Sequence, residues 1–332
     1  MGVLKLEASS FNWGLGCALL LVGCVPNFDD NLPLVQQPEV LAVQSEPAEA
    51  APGEPVTLTA LVATPEPNGA PPTLIWGLCT ARKPLTELGP VNPVCIRAPS
   101  AAPQSITALG SGVSVHARLP GDACSLFGPS LPAPVDGEPS GRPVDPDPTG
   151  GYYQPVGVTL QESAVTTLGA VRIFCPPSGL DQDQAGDFNS HYRRNENPLL
   201  DGVGIVDKTG DVAAVPDEPD SLQVNAGKPV QFRASWAVCA DDAACSGAET
   251  YALFNLDSRQ LETKRESLRV SWYATAGQFQ NAVTGRDESE LASDTDNTWT
   301  APNEAGAVRV WLALRDSRGG QSFRSFLVSV KR

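Results

Sequence analysis

Gly-Glu-Pro-Val-Thr-Leu-Thr-Ala at residues 53–60 and Gly-Lys-Pro-Val-Gln-Phe-Arg-Ala at residues 227–234 share the pattern Gly-x-Pro-Val-x-apolar-x-Ala. Both begin with turn residues and continue with apolar side chains at alternate positions. Such alternation is typical of a turn that leads into a strand buried on one face. The repeat therefore predicts two related β domains in one chain.

Other segments flank the repeated pattern in the same order in both halves. Each half has a tryptophan in an apolar strand, Trp76 in the first and Trp272 in the second. We therefore predict that each half is one β-sandwich with a core tryptophan. The further correspondences are 40–43 with 212–215, 74–76 with 270–272, 153–155 with 300–302, and 171–174 with 308–311.

The second half has the more regular pattern and resembles a known class of module. Its last part contains Trp299-Thr-Ala-Pro302, a Val-rich strand and an Asp316-Ser-Arg-Gly319 turn. This order is similar to bacterial immunoglobulin-like and PKD-like modules, which implies a β-sandwich. The Cys–Trp–Cys spacing of antibody domains is missing, because Cys239 and Cys245 are too close to bridge two sheets. The predicted strands are 221–225, 229–238, 268–275, 307–315 and 321–330.

These patterns predict an all-β fold, with two tandem Ig-like β-sandwich domains. The first domain covers 38–196, with a long Pro/Gly-rich loop at about 119–151, and the second covers 212–332. Residues 197–211 are expected to be a linker. Residues 248–266 are expected to be either a helix inserted between two strands or a loop held by a small disulfide.

The N-terminus indicates export. Residues 11–22 are almost wholly apolar, a run that suits a signal peptide and is too short to span a bilayer. The run ends in Leu21-Val-Gly-Cys24, which is similar to the lipobox of bacterial lipoproteins. The resemblance implies removal of residues 1–23, acylation of Cys24 and, since Val25 follows, an outer-membrane location. We expect residues 24–37 to be a lipidated tether, and the chain to face either the periplasm or the outside of the cell.

Composition limits the possible partners. The net charge is −15 and the isoelectric point is about 4.5, so phosphate groups are repelled and nucleic acid is excluded as an expected partner. Loss of residues 1–23 leaves 332 − 23 = 309 residues, enough for two domains. The 31 prolines and 30 glycines, with 41% hydrophobic residues, indicate a β-rich protein with long loops.

Six cysteines remain after Cys17 and Cys24, and an even number in an oxidising compartment predicts disulfides. A local Cys239–Cys245 bridge is expected across a short acidic segment. Among the other four, three pairings are possible, and we favour Cys79–Cys95 and Cys124–Cys175 because each closes a loop within the first domain. A zinc site is disfavoured, since none of the four has a close ligand partner.

No catalytic motif is found in the sequence. Gly-x-Ser-x-Gly, His-Glu-x-x-His and a phosphate-binding glycine loop do not occur. His116 is predicted to face solvent from a strand, and His191 to lie in a polar loop or short helix. A Ser–His–Asp triad could be assembled only without any fixed geometry. We therefore predict a non-enzymatic protein.

The one candidate metal site is acidic. Asp181, Asp183 and Asp187 have part of the spacing of a calcium loop, although Ala185 and Tyr192 stand at two positions that should be ligands. We thus predict no cofactor, with Ca²⁺ at these aspartates as the one candidate. A second, weaker acidic cluster is formed by Asp294, Asp296 and Asn297.

Three classes of function remain open. The first is a membrane-anchored structural or protein-interaction and adhesion module of the cell envelope, with a protein or polysaccharide partner. The alternative is a carbohydrate-binding envelope protein, which would need aromatic side chains outside the core. The third is a hydrolase with an unrecognised site. The strand positions of Trp76, Trp236, Trp272, Trp299 and Trp311 favour core packing over a sugar platform.

Overall fold

Eight strands build the first sandwich, and their buried apolar side chains converge on one core. Burial alternates most clearly along β3 and β6. The computed structural model describes residues 33–82, 91–126, 149–177, 180–215, 222–239, 247–255 and 257–332. The predicted signal peptide and Cys24 lie outside these residues. The strands are β1 Glu39–Glu46, β2 Glu49–Ala50, β3 Pro55–Ala63, β4 Leu74–Cys79, β5 Ile106–Ser111, β6 Ser114–Arg118, β7 Gly151–Leu160 and β8 Val165–Phe174.

Two sheets face each other in this first sandwich. One has the order β1-β3-β6 and the other β2-β8-β7-β4-β5. Neighbouring strands are antiparallel except for β2, which runs parallel to β8. Two α-helices of the described residues in this half lie outside the sheets, α1 at Ala123–Leu126 between β6 and β7, and α2 at Gln182–His191 after β8. Among the described residues, no helix is long and apolar enough to cross a bilayer.

The second sandwich repeats this arrangement with additional short strands. Its sheets have the orders β10-β9-β12-β18-β16 and β11-β20-β19-β15-β17, while β13 and β14 form a separate hairpin. Its strands are β9 Leu200–Val206, β10 Val212–Ala214, β11 Leu222–Asn225, β12 Pro229–Trp236, β13 Thr250–Asn255, β14 Gln260–Arg265, β15 Leu268–Ala274, β16 Gln278–Phe279, β17 Val283–Arg286, β18 Asp294–Thr300, β19 Gly306–Asp316 and β20 Gln321–Lys331.

The predicted fold class is confirmed, since the described residues form an all-β protein with two sandwiches of one topology. In that topology β3 corresponds to β12, β4 to β15, β7 to β19 and β8 to β20. The repeated Gly-x-Pro-Val pattern therefore marks equivalent strands, as do the two tryptophan strands. The predicted strands of the second half also agree with β11, β12, β15, β19 and β20 to within a few residues.

Three of the predicted correspondences are displaced by one strand. Residues 171–174 lie in β8, whose counterpart is β20, whereas 308–311 lie in β19. Residues 40–43 lie in β1, whose counterpart is β9, whereas 212–214 form β10. Residues 153–155 lie in β7, and Thr300 ends β18. Short Val-rich segments of different core strands resemble one another in sequence. The alternation of apolar side chains alone therefore does not identify which strand a segment forms.

Three local predictions are corrected by the strand pairing. Part of the expected linker, 197–211, is β9, which pairs with β12 inside a sheet of the second sandwich. The possible helix at 248–266 is the β13–β14 hairpin, where Ala252 and Phe254 are buried at alternate positions. The end of the expected tether is bound, because Val35 N donates to Ala274 O at 2.9 Å and Ala274 N donates to Pro33 O at 2.8 Å.

Candidate functional site

The predicted calcium loop is wrong in its local structure. Asp181, Asp183 and Asp187 lie at the start of and along α2, not in a loop. Asp181 Oδ1 accepts from Gln184 N at 2.9 Å, and Gln184 Oε1 accepts from Asp181 N at 3.2 Å, which is a capping box. Acidic side chains favour a helix N-terminus, so the same residues specify a helix. No group of three or more potential ligands converges anywhere in the described ranges.

Two of the predicted disulfides are confirmed. Cys79 is bonded to Cys95 and Cys124 to Cys175, each within the first sandwich. Cys239 is in a disulfide, while its expected partner Cys245 lies outside the described residues. The second of these bridges joins α1 to the end of β8.

The two histidines lie where the sequence placed them and are exposed. His116 is in β6, and its Nδ1 lies 3.1 Å from Thr57 Oγ1. His191 ends α2, where its Nδ1 lies 3.0 Å from Ser190 Oγ and 3.3 Å from Asp187 Oδ1. A catalytic triad needs its serine and its carboxylate on opposite nitrogens of the ring. Since Ser190 Oγ and Asp187 Oδ1 both lie beside Nδ1 of His191, these three residues do not have the geometry of a triad.

The five tryptophans singled out in the sequence are buried, so the prediction of core packing is confirmed. Their exposed fractions lie between 0% and 3%. Trp76 packs in the core of the first sandwich, and Trp236, Trp272 and Trp299 in the core of the second. Trp311 packs between the sandwiches. None of these five is available for stacking on a sugar.

The junction between the sandwiches combines apolar contacts, hydrogen bonds and buried charges. It begins with β19, in which Val308, Val310, Leu312 and Leu314 face the core of the second sandwich. Trp311 and Ala313 face the other way and pack on Val35, Leu41, Ala42, Leu61 and Ala63. Both faces of β19 are therefore buried, which explains its nearly continuous apolar sequence.

Polar side chains of the second sandwich also bind the main chain of β1. Arg315 Nη2 donates to Leu41 O at 2.6 Å, and Gln321 Nε2 donates to Val43 O at 2.8 Å. Asn197 Nδ2 donates to Ser45 O at 2.7 Å. These bonds fix the register of the two sandwiches, because each joins a particular side chain to a particular carbonyl.

The β13–β14 hairpin makes a second contact with the segment that follows the first sandwich. Ala252 and Phe254 of the hairpin pack on Phe188 of α2, and Phe174, Tyr192 and Leu261 surround them. The ring centroids of Phe174 and Tyr192 are 4.3 Å apart. The hairpin thus holds α2 against the junction.

The junction also contains a buried ionic cluster. Two arginines and four carboxylates contribute to it, and each residue is at most 8% exposed. Arg172 Nε lies 2.9 Å from Glu49 Oε2, Arg318 Nη2 lies 2.6 Å from Glu249 Oε2, and Arg318 Nε lies 2.7 Å from Glu266 Oε1. The members of the ionic cluster are Glu49, Arg172, Glu249, Glu266, Asp316 and Arg318.

Hydrogen bonds connect the two halves of the ionic cluster across the junction. Asn195 N donates to Glu49 Oε2 at 2.9 Å, and Asn195 Nδ2 donates to Asp316 Oδ2 at 3.2 Å. Tyr153 of β7 donates to Arg318 O at 3.0 Å, and Arg318 Nη1 donates to Arg193 O at 3.0 Å. The Glu49 carboxylate also accepts from the Tyr192 hydroxyl. Polar groups of both sandwiches therefore provide one another's hydrogen-bond partners inside the protein.

The ionic cluster has an unbalanced charge. Four carboxylates and two guanidinium groups would carry −4 + 2 = −2 if all were ionised. Burial, with the negative charges of Asp316 and Glu249, raises the pKa of Glu266 to about 8 despite the Arg318 guanidinium. Burial also raises the pKa of Asp316. At neutral pH the ionic cluster therefore retains a proton, which lowers the cost of burying its charge.

No known protein family and no curated protein matches this chain. Among solved structures, it is similar to the fibronectin(III)-like modules of Clostridium thermocellum CbhA, at 10% identity and a TM-score of 0.23, with 87% of this chain and 94% of that chain covered. The D00-D0 domain of intimin gives 9% identity and a TM-score of 0.20, covering 89% and 99%. The Yersinia pseudotuberculosis adhesin InvE gives 9% and 0.21, covering 86% and 58%. Likeness at this level carries no argument about activity or partners.

The retained proton predicts a pH-dependent stability. Glu266 binds its proton in the folded chain up to about pH 8, whereas an exposed glutamate releases it near its ordinary pKa of 4.5. Unfolding between these values releases a proton, so a rise in pH favours the unfolded chain. We expect the free energy of unfolding to fall by about 1.4 kcal/mol per pH unit between about pH 5 and 8. Chemical denaturation at several pH values measures this slope.

Glu266→Gln is expected to remove at least roughly half of that slope, and Glu288→Gln, at an exposed position, to leave it unchanged. Carboxylates with a lowered pKa, such as Glu54 and Asp296, change the free energy of unfolding only at more acidic pH, where their protonation removes the stability that they provide. A slope between pH 5 and 8 that is flat, or equal in Glu266→Gln and the unchanged chain, would contradict the assignment.

Sequence reasoning missed the ionic cluster although one signal was present. Arg172 stands inside the apolar strand segment Val171-Arg-Ile-Phe174, and a charge in such a strand indicates a buried partner. For Asp316 and Arg318 the sequence indicates only a turn. Glu249 and Glu266, which pair with Arg318, are far away in sequence, so no local pattern links them.

Proposed function

We propose that this chain is a lipid-anchored, non-enzymatic protein of the bacterial cell envelope, in which two sandwiches form one rigid platform for a protein partner. The observation that carries the proposal is the junction. Its apolar contact, its side-chain bonds to β1 and its buried ionic cluster link the sandwiches at three places. A flexible pair of modules would need none of these contacts.

Two further observations support the envelope location. The Cys79–Cys95 and Cys124–Cys175 disulfides suit an oxidising compartment. The segment Leu21-Val-Gly-Cys24 provides a thiol for acylation directly after an apolar core. A lipid on Cys24 would keep the platform at the membrane, and Val25 favours the outer membrane.

Replacement of the anchoring thiol tests the proposal. Cys24→Ser is expected to move the protein from the membrane fraction to the soluble fraction. The variant has no thiol at residue 24 for acylation, and stable anchoring needs more than one acyl chain. Fractionation after cell lysis, with intact mass of the purified chain, measures both effects. Cys17→Ser is the matched control, since that residue lies within the predicted signal core.

A mature mass without fatty acid, or equal fractionation of Cys24→Ser and the unchanged protein, would refute the anchor. Density-gradient separation of the two membranes tests the outer-membrane assignment. Protease treatment of intact cells then distinguishes the periplasmic from the surface-exposed orientation, which the proposal leaves open.

A further inference from the structure

Strand β6 forms one edge of its sheet, and half of its main-chain groups point away from that sheet. Ala60 N donates to Val113 O at 2.9 Å, and Leu119 N donates to Glu54 O at 3.0 Å. Antiparallel pairing uses the main chain of every second residue. The alternate residues His116 and Arg118 therefore direct their N–H and C=O groups to the side of β6 on which no strand of the described residues pairs, called here the open side. Strand β5 forms the facing edge of the other sheet.

A groove of about 700 Å³ lies between these two edges. Its apolar part includes Leu78 and Leu109, and its rim includes His116 and Arg118. Among the described residues that line it, no aspartate or glutamate occurs. In a chain with a net charge of −15, a groove with only basic or neutral lining favours an acidic ligand.

The equivalent side of the second sandwich is closed. There, β17 corresponds to β5 and β18 corresponds to β6. Arg286 Nε donates to Asp294 O at 2.8 Å, and its Nη2 lies 3.3 Å from Asp294 Oδ1. This ion pair joins the edge strand β17 directly to β18, which also pairs with the short edge strand β16. The two sandwiches share one topology but differ at this side, so the groove is not a necessary feature of the fold.

We propose that the groove between β5 and β6 binds an extended acidic peptide segment of a partner protein, which adds a strand to β6. Main-chain bonds to the open groups of His116 and Arg118 would hold the peptide, as in other cases of β-strand addition. Alternate side chains would face Leu78 and Leu109, and the acidic ones would lie beside the basic rim. The inference rests on the proposed role as a platform for a protein partner, and it names the surface and the chemistry.

The test uses full-length protein in detergent and four probes. The first is the peptide Ac-(Val-Glu)4-NH2, whose apolar and acidic side chains alternate with the period of a strand. The second is Ac-(Val-Lys)4-NH2, the third is the acidic peptide with N-methyl groups at alternate residues, and the fourth is an oligouronate. Chemical shifts of the β5 and β6 amides report the place of binding, and fluorescence polarisation reports the affinity.

We expect the acidic peptide to shift the amides of β6 and to bind about tenfold more tightly than the lysine peptide. N-methylation should abolish binding, because it removes the donors that pair with the edge. Arg118→Glu should weaken binding about tenfold. Lys208→Glu, at an exposed loop position outside the groove, should change it less than about twofold.

Equal binding of the lysine peptide, retained binding of the N-methylated peptide, or no shift at millimolar peptide would overturn the inference. Shifts caused by the oligouronate alone would overturn it in favour of a polysaccharide ligand. Arg118→Glu should not alter membrane fractionation or the pH slope of stability, so failure of this inference is distinguishable from failure of the anchor or of the junction.

Discussion

Arg318→Met is expected to lower the free energy of unfolding by about 4 kcal/mol, one of the two largest effects that we predict. The guanidinium contacts Glu249 and Glu266, donates to Arg193 O and lies 4.8 Å above the ring of Tyr251. Methionine has a similar length but no charge, so the buried Glu249 carboxylate would lose its counter-ion and the protonated Glu266 would lose the donor to its Oε1. Urea denaturation at pH 7, followed by tryptophan fluorescence, measures the loss.

The exposed pair Arg269–Asp287 provides the matched control. Both side chains are at least 45% exposed, so Arg269→Met is expected to cost less than about 1 kcal/mol. Adding Glu249→Gln to Arg318→Met should restore about half of the lost stability, because it removes the buried charge that was left without a counter-ion. If Arg318→Met costs no more than Arg269→Met, the ionic cluster does not stabilise the junction.

Trp311→Ala is the second large effect, with an expected loss of about 4 kcal/mol. The indole is 3% exposed and packs on the outer faces of β1 and β3. Its removal leaves a cavity between the sandwiches and not within either core. Hydrogen exchange should therefore accelerate first in β1 and β3, at residues that face the junction.

Trp299→Ala separates this effect from a general loss of stability. Trp299 is fully buried in the core of the second sandwich and contacts Phe232 and Phe279. Its replacement should accelerate exchange throughout the second sandwich at a similar total cost. An identical exchange pattern in the two variants would show that Trp311 has no particular role in the junction.

The sequence predicts each sandwich well because its information is local. The Gly-x-Pro-Val pattern identifies β3 and β12, since turn residues followed by alternation specify a strand and its buried face. The segment from Asp181 is compatible in sequence with a capping box as well as with the predicted calcium loop. A capping box and a calcium loop can both contain closely spaced aspartates, and only the hydrogen bonds between Asp181 and Gln184 distinguish the two here.

The junction is less accessible from the sequence because it combines distant residues. Leu41 and Trp311 lie in different sandwiches, and their contact depends on how two complete domains dock. The apolar run of β19 indicates that both of its faces are buried, but it does not identify the second partner. The side of β6 that no described strand covers is likewise a property of sheet order, which periodicity does not determine.

The attachment of residues 33–35 has a mechanical consequence. The main chain at Pro33 and Val35 is bonded to Ala274 in the second sandwich before the chain enters β1 of the first. A pulling force applied to the N-terminal end must first shear these two bonds. The load is therefore passed into β15, a strand that is hydrogen-bonded to neighbouring strands on both sides. The first sandwich is under no tension until the two bonds to Ala274 break.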